Sequence, residues 1–266
     1  MPLEDKTASK GEPRTRLDGR VAVVTGSGQG IGHGVALCLA REGAHIVVND
    51  LVQERIPRTV ADVEALGVQA LGIQANVARA DDVDRLVQET LNRFGKIDIL
   101  VNNAGTAVIK PLVEQSEADW DKVLDVNLKG VFLCCRRVVP EMIKQRRGAI
   151  VNIASIAAFH YTVVHVPYAA SKAGVVALTR DLAYEVARFG VRVNAIAPGP
   201  IETPLMNSGL TAQQKEAYAR NVPLGRLGMP QDIGEAVAFL VSDAASFITG
   251  ATLPVSGGTD LKVANL

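Results

Sequence analysis

Seven short runs rich in β-branched residues, separated by longer segments of helical period, leave few folds open to this chain. The runs are VAVVT (21–25), HIVVN (45–49), VQALGI (68–73), IDILVN (97–102), AIVNIA (149–154), VRVNAI (191–196) and ATLPV (251–255). Helical period falls near 30–42, 53–66, 80–94, 117–146, 166–189 and 230–242. Strict strand–helix alternation builds parallel strand pairs, and right-handed crossovers place the helices on both faces of the sheet. The expectation is an α/β, single-domain Rossmann fold with a doubly wound, seven-stranded parallel sheet. The alternation fails over about 198–229, rich in Pro and Gly, which reads as an irregular region with a flap at about 204–225.

Sheets of this class form one unit even at 266 residues, so 17–266 reads as one domain. The opening MPLEDKTASKGEPRTR (1–16) mixes both charges with Gly and Pro and holds no apolar run. It reads as a flexible tail, neither signal peptide nor membrane span. Lys plus Arg balance Asp plus Glu at 28 each, so no global field favours nucleic acid, an anionic membrane or an acidic carrier. Cys38, Cys134 and Cys135 lie in apolar helical sequence without metal-ligand spacing, which fits reduced thiols in the cytoplasm and no metal site.

Directly after the first run comes TGSGQGIG, with Gly26, Gly30 and Gly32 opening a helix. Glycines there allow a tight turn and close approach of backbone to a pyrophosphate at a helix N-terminus. Asp50 closes the second run about 20 residues further on, where a carboxylate accepts hydrogen bonds from both ribose hydroxyls of an adenosine and repels a 2′-phosphate. Ser27, Gln29 and Leu51 add no positive charge, and Arg55 on the following helix is the one nearby cation. The cofactor implied is NAD, with NADP less favoured.

These residues, with NNAG at 102–105, Asn127 in DVNLKG, Ser155 in NIAS and the YAASK run at 168–172, resemble the short-chain dehydrogenase/reductase family from about Leu17 to the end. The resemblance implies an oxidoreductase. It also implies a cofactor site that includes Gly26, Ser27, Gln29, Gly30, Ile31, Asp50, Asn76 and Val77. Asn103, Ala104 and Gly105 would wall the adenosine side, with Tyr168 and Lys172 at the nicotinamide end. In NAIAPGPIETPL, Pro198, Gly199, Ile201 and Thr203 form a turn that, as in the family, meets the carboxamide or the phosphates. Many members carry Asp where this chain has Asn76, which leaves Val77's apolar packing as the firmer part of that contact.

Tyr168 and Lys172 share one face of a helix, four residues apart. A phenol that ordinarily ionises near pH 10 becomes a usable base if an ammonium and an oxidised nicotinamide stabilise its phenolate, at roughly 1.4 kcal/mol per unit. Ser155, thirteen residues earlier, would hydrogen-bond the substrate oxygen beside Tyr168 while a hydride passes between the substrate carbon and the nicotinamide. Asn127, a mediocre helix former inside the fourth helical segment, is expected at a local kink. The resemblance implies that its main chain holds a water linking Lys172 to solvent.

The substrate walls are expected from 157–166 and the flap, with Ala157, His160 and His165 as candidate contacts. The family includes 3-oxoacyl-(acyl-carrier-protein) reductases. In this chain Pro140 and Tyr184 stand where those enzymes can present arginines to the carrier, and Asp50 disfavours their usual NADPH. The expectation is therefore an NAD-linked dehydrogenase of a small secondary alcohol of sugar, polyol or hydroxy-acid type. The NADPH-dependent reductase stands as the alternative, and a non-catalytic dinucleotide-binding regulator as an alternative of another class. Long apolar helices at 117–146 and 166–189, paired in the family, imply a homotetramer.

Overall fold

The computed structural model describes residues 16–207 and 211–261. Seven parallel strands form one sheet: β1 (Val21–Val24), β2 (His45–Asp50), β3 (Ala70–Gln74), β4 (Ile99–Asn102), β5 (Gly148–Ile153), β6 (Val191–Pro198) and β7 (Thr252–Val255), in the order β3-β2-β1-β4-β5-β6-β7. The helices are α1 (Gly30–Arg41), α2 (Ile56–Glu64), α3 (Ala80–Phe94), α4 (Glu117–Leu124), α5 (Gly130–Gln145), α6 (Val166–Val186), α7 (Pro204–Asn207), α8 (Ala212–Arg220) and α9 (Pro230–Val241). All seven expected strands are present, within two residues of their expected ends.

The two-residue period of a strand sorts the core into two layers. Val21 and Val23 of β1 pack with Leu86 of α3, Val138 of α5 and Val175 of α6. Ala22 and Val24 pack on the opposite face with Leu39 of α1 and Val237 of α9. Because both faces are covered, β1 is wholly buried and reads as an unbroken apolar run rather than an alternating one.

Two expectations need correction, and one residue of the expected tail can be placed. Segment 117–146 is not one helix: α4 and α5 are joined by a π turn, Asp125–Lys129. The supposedly irregular 198–229 holds the short helices α7 and α8, and α8 starts with a capping box in which Thr211 and Gln214 exchange hydrogen bonds. Most of the expected tail lies outside the described residues, but Arg16 at its end is anchored. Its guanidinium pairs with Glu42, and the next residue, Leu17, is fully buried. Among the described residues no helix is long and apolar enough to cross a membrane.

Candidate active site

In a parallel sheet every strand delivers its C-terminal residue to the same edge, and a crevice opens where neighbouring strands lead their helices to opposite faces, here between β1 and β4. Thr25, one residue past β1, fixes that crevice. Its hydroxyl accepts from the Asn103 and Ala104 N–H groups at 3.0 and 3.1 Å. The Asn103 amide donates back to the Thr25 and Gly26 carbonyls at 2.8 and 3.0 Å, stapling NNAG to the glycine turn. Gly26 holds φ +62°, and a Cβ there would lie 2.8 Å from Ala104 Cα, so both backbone conformation and space demand glycine.

α1 begins at Gly30 after Gln29, with no side-chain cap and no acidic residue in its first turn. An uncapped helix N-terminus behind a glycine turn suits a pyrophosphate. Asp50 ends β2 next to it, 6% exposed. Its carboxylate accepts from Gly28 N–H at 3.1 Å and Val52 N–H at 2.9 Å, with Arg55 3.8 Å away. Gly28 is required for that approach, since a Cβ would lie 2.7 Å from Asp50 Oδ2. A glycine cradle, open backbone donors and a held carboxylate together fit a dinucleotide.

At the other end of the crevice, Lys172 is buried on α6 and its ammonium donates to the Ile153 carbonyl, the last of β5, at 2.6 Å. It lies 5.6 Å from the centre of the Tyr168 ring. Burial pushes the lysine down to about 8 and raises the Tyr168 phenol above its ordinary value, and a hydrogen bond from Ser155 draws the phenol back down. Ser155 accepts from Ala157 N–H at 3.1 Å as cap of the short turn Ile156–Ala158, which leaves its own O–H free to donate to the phenol. Serine as turn cap and serine as partner of the tyrosine are one arrangement here.

Asn127 occupies the π turn and is fully buried. Its Oδ1 accepts from Thr106 N–H at 2.8 Å, while its Nδ2 donates to the Thr106 carbonyl at 2.9 Å and to Ser171 Oγ at 3.1 Å. Ser171 in turn donates to the Tyr168 carbonyl at 2.7 Å. The expected kink is therefore a widened turn that aims an amide inward and ties the NNAG loop to α6. Gly105 faces the same cluster: a Cβ there would lie 3.4 Å from Asn127 Oδ1 and 3.8 Å from Lys172 Nζ.

Past β6, Gly199 N–H donates to the Val255 carbonyl at 3.0 Å, and Ile201 pairs in a parallel bridge with Gly228. The turn that begins at Pro198 then brings Thr203 over the start of α1, where a Cβ on Gly30 would meet Thr203 Cβ at 3.7 Å. Thr203 thus lies over the start of α1 from the flap side, while Pro198 and Gly199 lie beside the end of β7 and Ile201 beside Gly228.

Some expected contacts sit differently. Ser27 is fully buried beneath the turn, its hydroxyl donating to the Val24 carbonyl at 2.7 Å, so it braces the cradle instead of facing the groove. The Asn76 side chain is turned onto its own loop, accepting from Ala78 N–H at 3.0 Å, and Val77 packs into the core beside Gly130. Gln29 and Ile31 are half-buried at the mouth of α1. Ala157 is buried and His160 exposed. His165 is not an open hydroxyl binder. It is buried, its Nε2 is 2.8 Å from Thr162 Oγ1, and its ring centre lies 4.8 Å from that of Tyr168. Thr25, Gly28 and Ser171 were missed from sequence. The hydroxyls at 25 and 171 adjoin motif residues, and that adjacency was the available signal.

A doubly wound parallel sheet with a glycine cradle at its switch point and a Ser–Tyr–Lys group at the same edge defines a dinucleotide-dependent oxidoreductase. The chain belongs to the short-chain dehydrogenase/reductase family. Residues 26–260 match the family described as enoyl-(acyl carrier protein) reductase. The chain is 41% identical to the 3-oxoacyl-(acyl-carrier-protein) reductase FabG of Thermotoga maritima, over 91% of this chain and 98% of that one. It is 43% identical to the (2S)-((R)-hydroxy(phenyl)methyl)succinyl-CoA dehydrogenase subunit BbsD of Thauera aromatica, over 92% and 98%. The solved 7α-hydroxysteroid dehydrogenase complexed with NADH and 7-oxo glycochenodeoxycholic acid superposes with a TM-score of 0.88 at 37% identity, covering 92% of this chain and 96% of that one.

Proposed function

We propose that this enzyme transfers a hydride between NAD(H) and a small secondary alcohol or its ketone, with Tyr168 as general acid and base. Asp50 carries the choice of NAD: it is buried at the end of β2, held by two backbone N–H groups, where a 2′-phosphate would meet its negative charge. When bound, the oxidised dinucleotide supplies the hydride acceptor and a positive charge beside the phenol. With substrate bound, the Ser155 O–H turns from the phenol to donate to the substrate oxygen and fixes it against Tyr168. Tyr168 takes the hydroxyl proton as the C–H bond gives up its electron pair. The Lys172 ammonium stabilises the phenolate that must be present for that step, and Asn127 holds Thr106 and Ser171 so that the loop and α6 keep their spacing.

Residues 17–266 then act as one catalytic domain with the flap at about 204–225. Phe132 on α5 and Tyr184 on α6, 48% and 89% exposed, support assembly as a homotetramer, and three free, buried thiols support a cytoplasmic location. The second reading, an NADPH-dependent 3-oxoacyl-carrier-protein reductase, is favoured by the Thermotoga relative. The exposed Pro140 and Tyr184 count against it, since they stand where such reductases can present arginines to an acidic carrier.

The test is initial rates with NAD and NADP separately, against secondary alcohols, ketones and 3-oxoacyl thioesters, for the natural chain and for Tyr168→Phe. The proposal expects turnover with NAD that Tyr168→Phe abolishes while NAD still binds. Preference for NADPH with a carrier-linked thioester selects the second reading. NAD binding without turnover of any substrate selects a regulator.

A further inference from the structure

Two loops flank a solvent-open cavity of about 140 Å³ whose wall is almost wholly hydrocarbon. Leu112, after β4, forms one side; Val163, Val164 and Val166, before and at the start of α6, form the other, with Ala169 of α6 between them. The loops are joined by a hydrogen bond from Lys110 N–H to the Val164 carbonyl at 3.0 Å. Of the polar side chains on this wall Lys110 and His165 are engaged, while His160 and Tyr161 stand exposed at its edge. The Lys110 ammonium pairs with Asp119 at 2.6 Å, and His165 Nε2 with Thr162 at 2.8 Å. Next in sequence to Lys110 and Leu112, Ile109 and Val113 remain 66% and 93% exposed.

Polar hydroxyls entering such a space would give up water without gaining partners, whereas a hydrocarbon gains by leaving water. An apolar cavity of roughly 150 Å³ takes up one benzene ring. His165 connects this cavity to the reacting centre, because it lines the wall and its ring lies 4.8 Å from that of Tyr168.

We infer that this cavity receives the non-reacting arm of the substrate, and that the arm is a hydrocarbon group, aryl, cycloalkyl or branched alkyl, on the carbinol carbon. This rests on the hydride-transfer reading of Tyr168, and it replaces the sugar or polyol expected from sequence. The wall formed by Leu112, Val163, Val164, Val166 and Ala169 offers a hydroxylated chain no side-chain hydrogen-bond partner.

The experiment uses the full chain with NAD(H) and four probes that share a secondary carbinol: 1-phenylethanol, 1-cyclohexylethanol, 2-propanol and sorbitol, with the corresponding ketones in reverse. The expected result is a kcat/KM for the two ring-bearing alcohols at least 100-fold above that for sorbitol. Val164→Asp and, from the opposite wall, Leu112→Asp should each lower the ratio of kcat/KM for 1-phenylethanol to that for 2-propanol at least tenfold, while Val164→Leu keeps it. Both aspartates fall at partly exposed positions, so two chances exist for a folded variant. Turnover in which sorbitol equals or exceeds the ring-bearing alcohols overturns the inference and leaves hydride transfer standing. So does an unchanged ratio in both aspartate variants, including the case where they change solution mass and mark the face as a contact between copies. Absence of turnover with every alcohol and ketone overturns the hydride-transfer reading itself, and this inference with it.

Discussion

Lys172 reaches from α6 to the Ile153 carbonyl at the end of β5, a 2.6 Å hydrogen bond that fixes a buried ammonium at the junction of sheet and helix. Burial lowers that group from 10.5 to about 8. Between about pH 8 and 10.5 the unfolded chain therefore binds a proton that the folded chain has released, so Lys172 makes stability rise with pH across that window. Below about 8 both states carry the proton and the full cost of burying it stands. The raised thiols of Cys38 and Cys135, both pushed to about 12, work in the opposite direction, but they do so equally in a Lys172→Met variant. Denaturant unfolding of both proteins from pH 7 to 10.5 should show the natural chain gaining on Lys172→Met by about 3 kcal/mol. A pH-independent difference would contradict the buried, depressed lysine.

Asp50 and Arg55 lie 3.8 Å apart, so removing the carboxylate releases a cation at the ribose end of the groove. Asp50→Ala should raise KM for NAD at least tenfold, the loss expected when about 1.5 kcal/mol or more of charged hydrogen bonding disappears. KM for NADP should stay the same or fall. Steady-state kinetics with each dinucleotide measures this, and a larger loss for NADP would refute the assignment of Asp50.

Asn127 satisfies both backbone groups of Thr106. Asn127→Ala leaves a half-buried N–H and C=O without their partner and should cost about 1 to 3 kcal/mol of stability. Asn127→Asp keeps the acceptor and loses the donor, and should fall between. Lower kcat in the order natural, Asp, Ala, with unfolding midpoints in the same order, is the expected pattern. Full activity in the alanine variant would separate the π turn from catalysis.

His165 supports the Tyr168 ring through packing, its own nitrogen being engaged by Thr162. His165→Ala should lower kcat roughly five- to fiftyfold, about 1 to 2.3 kcal/mol, with NAD affinity unchanged. His165→Phe should restore most of the loss, because a ring is all the tyrosine needs from it. If phenylalanine fails where glutamine succeeds, the imidazole acts by hydrogen bonding instead.

The strands were legible because burial on both sides writes them as β-branched runs, and the candidate site because its glycines, Ser155, Tyr168 and Lys172 together resemble a family's motif set, whereas Ser155 by itself reads as a turn residue. The π turn could be expected only as a kink. Its cause is backbone counting around Asn127, which no single residue type announces. Ser27 misled because position in a motif does not say which way a side chain points: it faces inward to Val24, while its neighbour Gly28 meets Asp50. α7 and α8 were hidden because short helices owe their existence to caps such as Thr211 with Gln214, not to an apolar stripe.

A π turn contains one residue more than the α-helical turn it replaces, so α4 and α5 are out of phase by about 100° of rotation. Deleting one residue between 125 and 129 would let the two merge into a single regular helix from which the side chain at 127 no longer meets the Thr106 backbone. The inward amide is stored in this sequence as a surplus in length as much as in the identity of Asn127. A one-codon deletion can erase that geometry in a way that substitution at 127 cannot.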